Sequence, residues 1–256
     1  MLMMSLTKNR RSDERKLRIS MKDYIVLDIE TTGMHPDYAK ITEIGAAKVI
    51  DDQIVDVFSM LVNPEVSIPE NIIKLTGITN EMVVDAPVIG QVMPVFLSFC
   101  DDLPILGHNI PFDFSFLKTN AIRLNLHFEK RALDTLVLAR QYIDHQHSYG
   151  LSHLVKFCSI NRTNAHRALD DALATHELFQ IIKYKYMEAH KLIELKPNPL
   201  MWKPKKQSPM TDKQRKFLLS LMRQHHVALD FDLDALTKSE ASQKIDGIIC
   251  QYGKGF

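Results

Sequence analysis

The chain has 256 residues, 45% of them apolar, and its 32 basic and 31 acidic side chains leave a formal net charge of +1. That length supports one generous domain, or one domain with a small appendage, and the near-neutral balance excludes a protein that merely coats nucleic acid. Scattered Cys100, Cys158 and Cys250 make neither a disulfide framework nor a zinc spacing, and no stretch reaches the roughly 20 apolar residues of a membrane span, so a cytoplasmic protein without membrane contact is expected.

Residues 1–20 carry mixed charge without apolar periodicity and read as a flexible basic tail. Residues 21–195 form the main domain. Tyr24-Ile25-Val26-Leu27 is a continuous apolar run, the pattern of a strand buried on both faces. Ile41–Ile50 and Ile54–Val62 read as two further strands, joined by the Asp51-Asp52-Gln53 turn into a meander. Helical pieces follow at Pro69–Leu75 and Val88–Cys100, then a short strand at Pro104–His108. Asn109 as N-cap and Pro111 in the first turn open a helix to about Leu124. Arg131–Asp134 is a brief strand feeding a helix from Thr135; a shorter helix covers Leu151–Phe157, and a long one runs from Ala168 to about Met187. A meander followed by alternating helix and strand predicts an α/β fold, a mixed five-stranded sheet flanked by helices.

Residues 196–210 change character: Pro197, Pro199, Pro204 and Pro209 alternate with Lys196, Lys203, Lys205 and Lys206 to give a stiff basic linker. It reads equally as a tether or as a segment tracking a nucleic-acid backbone, with Trp202 stacked on a base. Residues 211–256 form a small helical module of two helices, each opened by a capping box, Thr211-x-x-Gln214 and Thr237-x-x-Glu240. Phe217, Leu218 and Leu221 are expected to pack there against Leu236, Ile245, Ile248 and Ile249.

Three distant segments hold acids where acids are unfavourable. In Leu27-Asp28-Ile29-Glu30-Thr31-Thr32-Gly33, Asp28 and Glu30 leave the same face of a buried strand. Two carboxylates held that close repel, and burial penalises each charge further, whereas a divalent cation between them reverses the sign. The Thr-Thr-Gly that follows supplies backbone amides and a glycine where a phosphate can approach. In Gly107-His108-Asn109-Ile110-Pro111-Phe112-Asp113, Asp113 falls in the first turn of a helix, which alone is an ordinary complement to the helix dipole. In His166-Arg167-Ala168-Leu169-Asp170-Asp171, His166 sits in the loop before the long helix, and only one of Asp170 and Asp171 needs to face the sheet.

Together these segments resemble the DEDDh family of 3′→5′ exonucleases, the family of the proofreading epsilon subunit of bacterial DNA polymerase III. The resemblance covers roughly residues 22–190 and includes Thr42-Glu43-Ile44-Gly45, Leu75-Thr76-Gly77-Ile78-Thr79, Asp134-Thr135 and Tyr149-Gly150-Leu151. It implies a ribonuclease-H-like fold, with residues 21–195 as the exonuclease domain. It also implies that Asp28, Glu30, Asp113 and Asp171 bind two Mg²⁺ (or Mn²⁺) ions, and that His166 is the general base. Thr31, Gly33 and Met34 match positions that hold the terminal nucleotide, with Asn71, Thr76, Asn109 and Phe112 as further contacts; Thr76 stands where polymerase-associated relatives carry histidine. The implied partners are a single-stranded or frayed 3′ end of DNA, and a polymerase or other replication or repair protein. A 3′ exoribonuclease and a non-catalytic nucleic-acid-binding module are the rival readings. His145, His147 and His153 read as a polar loop between helices, because no acid or cysteine is spaced to complete a metal site.

Overall fold

A computed structural model describes residues 21–162, 165–187, 195–204, 208–229 and 231–253. The tail expected at 1–20 lies outside the described residues. Strands β1 (Tyr24–Thr31), β2 (Ile41–Ile50) and β3 (Gln53–Leu61) form the expected antiparallel meander. Strands β4 (Ile105–Gly107) and β5 (Arg131–Asp134) then add in parallel on the other side of β1. β1 is the hinge of the architecture. Ile25, Leu27 and Ile29 enter one apolar cluster while Tyr24 and Val26 enter the other, so the continuous apolar run is buried on both faces as its pattern requires.

One cluster lies beneath α3 (Ile89–Cys100) and α4 (Pro111–Arg123). The other lies beneath α5 (Thr135–Tyr142), α6 (Leu151–Phe157) and α7 (Ala168–Ile181). Two short helices, α1 (Glu70–Thr76) and α2 (Asn80–Val83), follow the meander. The long final helix expected to reach Met187 does so, but Ile182–Met187 wind as a π-helix.

The sheet has six strands, in the order β3-β2-β1-β4-β5-β6, rather than the expected five. The sixth, β6 (Asn198–Pro199), comes from the stretch read as a tether and pairs antiparallel with Arg131 and Ala132 of β5. A proline lacks the N–H that a central strand must donate, so such a segment is tolerated only at an edge. Leu200 and Trp202 pack on the first cluster, and the Trp202 indole donates to the Thr119 hydroxyl at 2.9 Å. Trp202 is therefore a packing residue here rather than a free stacking platform.

The C-terminal module consists of α8 (Asp212–Gln224) and α9 (Lys238–Tyr252), and both capping boxes form as spaced. Leu218, Leu221, Leu236, Ile245 and Ile248 are buried between them with Ile249 alongside. Phe217 departs from expectation. It is 44% exposed, because it falls on the outer edge of the α8 stripe.

Candidate active site

Three elements end at one point. Asp28 and Glu30 lie at the C-terminal end of β1, Asp113 in the first turn of α4, and Asp171 in the first turn of α7. Asp113 is buried and accepts a hydrogen bond from the Ile29 amide at 3.0 Å, which ties the α4 start to the strand between the two β1 acids.

The approach of α7 depends on Gly45. In β2 it stands opposite Asp28, and a Cβ there would lie 2.1 Å from the Leu169 nitrogen and 2.2 Å from the Ala168 carbonyl carbon. Only a residue without a side chain lets the helix start press onto the sheet beside Asp28. Glu43, two residues earlier and buried, fixes the same helix end: its carboxylate accepts from the Ala168 amide at 2.9 Å and from the Arg167 guanidinium at 2.6 Å. A carboxylate on an N-terminal amide also complements the helix dipole. Thus Asp171 faces inward and is buried, while Asp170 is partly exposed.

The electrostatics follow from this crowding. Burial, reinforced by Asp113, Asp171 and Glu30, holds the Asp28 carboxyl well above the ordinary carboxylate range. Burial, then Asp171, Glu43 and Asp113, push Glu30 up to about 8. Burial also raises Asp113, against the hydrogen bonds it accepts, and raises Asp171, against the contacts from Arg162 and His166. Like charges gathered away from water give this signature, and the Arg162 guanidinium offsets only part of it. His166 lies in a turn with φ of +63°. Ligand atoms of Glu30, His166 and Asp171 lie within 4.8 Å of one another, the separation at which one cation can be shared. The donor set, carboxylates with one imidazole, suits a hard or borderline divalent ion.

A cleft of about 570 Å³ opens over these groups and includes Asp28, His166 and Asp171. Several lining residues carried no individual signal in the sequence. Arg162 donates from Nε to Asp171 Oδ1 at 2.5 Å and from its guanidinium to the Ser152 hydroxyl at 3.0 Å, placing one positive charge among the acids. His108 donates from Nε2 to the Tyr149 carbonyl at 2.9 Å and bonds the Thr135 hydroxyl through Nδ1 at 2.9 Å. His147 and His153, read from the sequence as a polar loop, also line the cleft, their ring centroids 4.0 Å apart. Their spacing gave no clue, because the α6 turn rather than the local sequence brings them there.

The expected nucleotide contacts divide. Gly33 and Asn71 line a second, larger groove beside the acids, and Met34 is 71% exposed. Thr31 is buried, its hydroxyl donating to the Gly33 carbonyl at 2.7 Å, so it shapes the loop carrying Gly33 and Met34. Asn109 has φ of +67° and its amide donates to Asp134 Oδ1 at 2.9 Å. The N-cap of α4 is Ile110, not Asn109 as expected, and its side chain makes no capping bond. Phe112 is partly buried against Phe116, with centroids 5.1 Å apart. Thr76 does not reach either opening. It is 4% exposed, donates to the Ile72 carbonyl at 3.0 Å and accepts from the Ile78 amide at 3.1 Å, so it closes α1.

A family model described as Exonuclease, RNase_T, matches residues 25–179, the stretch that carries all four acids and His166. The chain belongs to the RNase_T exonuclease family. Among its relatives, the PolC-type DNA polymerase III of Caldanaerobacter subterraneus subsp. tengcongensis is 43% identical over 157 residues, covering 61% of this chain and 11% of that protein. The PolC-type DNA polymerase III of Clostridium perfringens is 38% identical over 174 residues, 68% of this chain and 12% of the relative. The chain thus matches about a ninth of the length of these relatives. The fold is that of solved exonucleases. E. coli exonuclease I in complex with a dT13 oligonucleotide superposes with a TM-score of 0.58 at 20% identity, over 66% of this chain and 43% of that one. Among the described residues no helix is long and apolar enough to cross a membrane.

Proposed function

We propose that this exonuclease-family chain is a metal-dependent 3′→5′ enzyme. It removes nucleoside 5′-monophosphates from single-stranded or frayed 3′ ends of DNA, in proofreading, repair or end processing. The observation that carries the reading is the convergence of Asp28, Glu30, Asp113 and Asp171 with His166 beside a cleft lined by Asp28, Asp171 and His166, where burial and mutual repulsion raise the acids.

Asp28, Glu30, Asp113 and Asp171 would hold two Mg²⁺ or Mn²⁺ ions. Bound divalent ions supply charge against the phosphate and the leaving oxygen, and lower the pKa of attacking water. His166 accepts the proton that the water loses as its oxygen bonds to phosphorus and the bond to the 3′ oxygen breaks. An imidazole nitrogen within reach of the metal site is a suitable proton acceptor. Gly33, Met34 and Asn71 contact the terminal nucleotide, and Thr31, Asn109 and Phe112 set the loops that present them. Arg162 holds Asp171 in place and lends charge to a bound phosphate. Action in the cytoplasm beside a polymerase or repair partner completes the reading, supported by the PolC-type relatives and by free Cys100 and Cys158.

The test is incubation with 5′-labelled single-stranded DNA, duplex DNA and RNA under Mg²⁺, Mn²⁺ and chelator. A ladder shortening from the 3′ end of DNA and abolished by chelator is expected. Internal cleavage, or activity surviving chelation, overturns the proposal; shortening of RNA alone moves the substrate to RNA.

A further inference from the structure

The acid cluster includes a cation from the chain itself. Arg162, in the loop between α6 and α7, donates from Nε to Asp171 Oδ1 at 2.5 Å, and its Nη2 forms an ion pair with the same oxygen. Nη1 donates to the Ser152 hydroxyl of α6 at 3.0 Å. The two charged side chains are only 6% and 8% exposed, so water and salt screen the pair little. Burial raises Asp28, Glu30 and Asp171, and Arg162 opposes the rise at all three, so its charge is felt across the cluster.

Asp171 therefore has two competing uses. Its carboxylate joins Glu30 and His166 in offering ligand atoms within 4.8 Å of one another, yet its Oδ1 is already gripped by two guanidinium nitrogens. One oxygen has lone pairs for more than one partner, but a guanidinium and a divalent ion on that oxygen repel strongly where water is scarce. Asp28, Glu30, Asp113 and Asp171, once ionised, balance two divalent ions, which leaves Arg162 as one positive charge in excess. A phosphodiester brings one negative charge. Arg162 and Ser152 both line the cleft, so the guanidinium can leave Asp171 without losing every partner.

We propose that Arg162 is a built-in competitor for Asp171: it weakens metal loading and passes to the substrate phosphate once the ion is held. The inference rests on the metal site of the proposed exonuclease and adds its regulation. An Arg162 that only orients Asp171 predicts the opposite sign, because its removal would loosen a ligand and weaken the ion.

The test uses the full chain with Mn²⁺ as the probe. Binding is read by calorimetry without nucleic acid, and hydrolysis of 5′-fluorescein-labelled dT10 is read in parallel. Arg162→Met keeps the apolar stem without the charge and should tighten Mn²⁺ at least about tenfold, a conservative share of the repulsion between adjacent cations. Ser152→Ala retains every charge and only frees the guanidinium, so it tests the same sign in a milder variant. It should tighten Mn²⁺ by roughly 2- to 5-fold, within the range of one lost hydrogen bond. In hydrolysis, Arg162→Met should need less Mn²⁺ for half-saturation yet show a lower kcat, since the phosphate loses a cation. Mn²⁺ affinity that is unchanged or weaker in both variants overturns the competition, even where the parent chain hydrolyses DNA normally. A kcat equal to the parent's at saturating Mn²⁺ overturns the passage to phosphate. Tighter Mn²⁺ in both variants of a chain that hydrolyses nothing keeps the competition and removes the exonuclease reading.

Discussion

β1 and α7 meet twice, with opposite electrostatic results. At the far end of α7, Lys183 of the following π-helix is fully buried yet donates to both oxygens of Asp52, at 2.6 and 2.9 Å. Tyr184 donates to the same carboxylate at 2.7 Å, and Gln180 bridges it to the Tyr24 hydroxyl, which bonds His176 Nδ1 at 2.9 Å. Burial works against the Asp52 charge, but hydrogen bonds from Lys183, Tyr184 and Gln180 outweigh it and hold the carboxyl below its usual range. At the other end, Asp28, Glu30, Asp113 and Asp171 gather with Arg162 as the nearby cation, and all four are raised. The far end is satisfied by side chains of the fold, with Asp52 supplied by the turn between β2 and β3. The other is left needing charge from outside. The same strand and helix therefore separate a structural task from a chemical one: losing one partner of the buried pair strands the other, whereas acids left crowded together mark a functional site.

This contrast can be broken by substitution. Asp28→Ala should lower hydrolysis by about 10³-fold or more, the several kcal/mol that a held metal supplies, and raise the melting temperature by relieving repulsion. Retained activity in the purified variant removes Asp28 from the site. His166→Ala should cost roughly 10²–10⁴-fold in kcat with an unchanged melting curve; a flat response assigns the proton to another group. Lys183→Met attacks the opposite end. It strands Asp52 and should cost about 3–5 kcal/mol in urea unfolding while leaving the rate per folded molecule unchanged.

The smallest effect is graded with pH. Glu30 sits at about 8 in the fold against an ordinary 4.5, so between those values the folded chain binds a proton that the unfolded chain has released. Its stabilising contribution is present at low pH and is lost as pH rises through about 8. Asp52, lowered in the fold, has the opposite sign, and its contribution is lost as pH falls. Thermal melts in chelator should therefore decline from mildly acid pH toward pH 8, and Mn²⁺ should restore them most at the alkaline end. Melts indifferent to both pH and Mn²⁺ would show that the acids do not share a cation site.

Much of this was legible in the chain itself. The run at Tyr24–Leu27, the meander turn at Asp51–Gln53 and the two capping boxes announced their elements, because each depends on residues a few positions apart. The acids of the three segments were legible for a different reason, as carboxylates set beside apolar runs that must be buried. Arg162, His147 and His153 were not. They reach the cleft through the paths of α6 and the loop before α7, and no local period encodes that approach. Thr76 shows the other limit, since its position in a motif said nothing about a hydroxyl turned back onto its own helix end.

Sequence alone determined which segments carry charge that burial would penalise, and that they alternate with strands and helices of an α/β sheet. Tertiary structure decided what those charges meet. Gly45, silent by itself, lets α7 touch the sheet and brings Asp171 to Asp28. Asn198 and Pro199 turn part of a basic linker into a sheet edge, and the C-terminal helices come to face the loop after Glu30. Hydrophobic period and capping act over a few residues and can be read in order, whereas Coulomb forces and close packing depend on distances through space that only the folded chain sets.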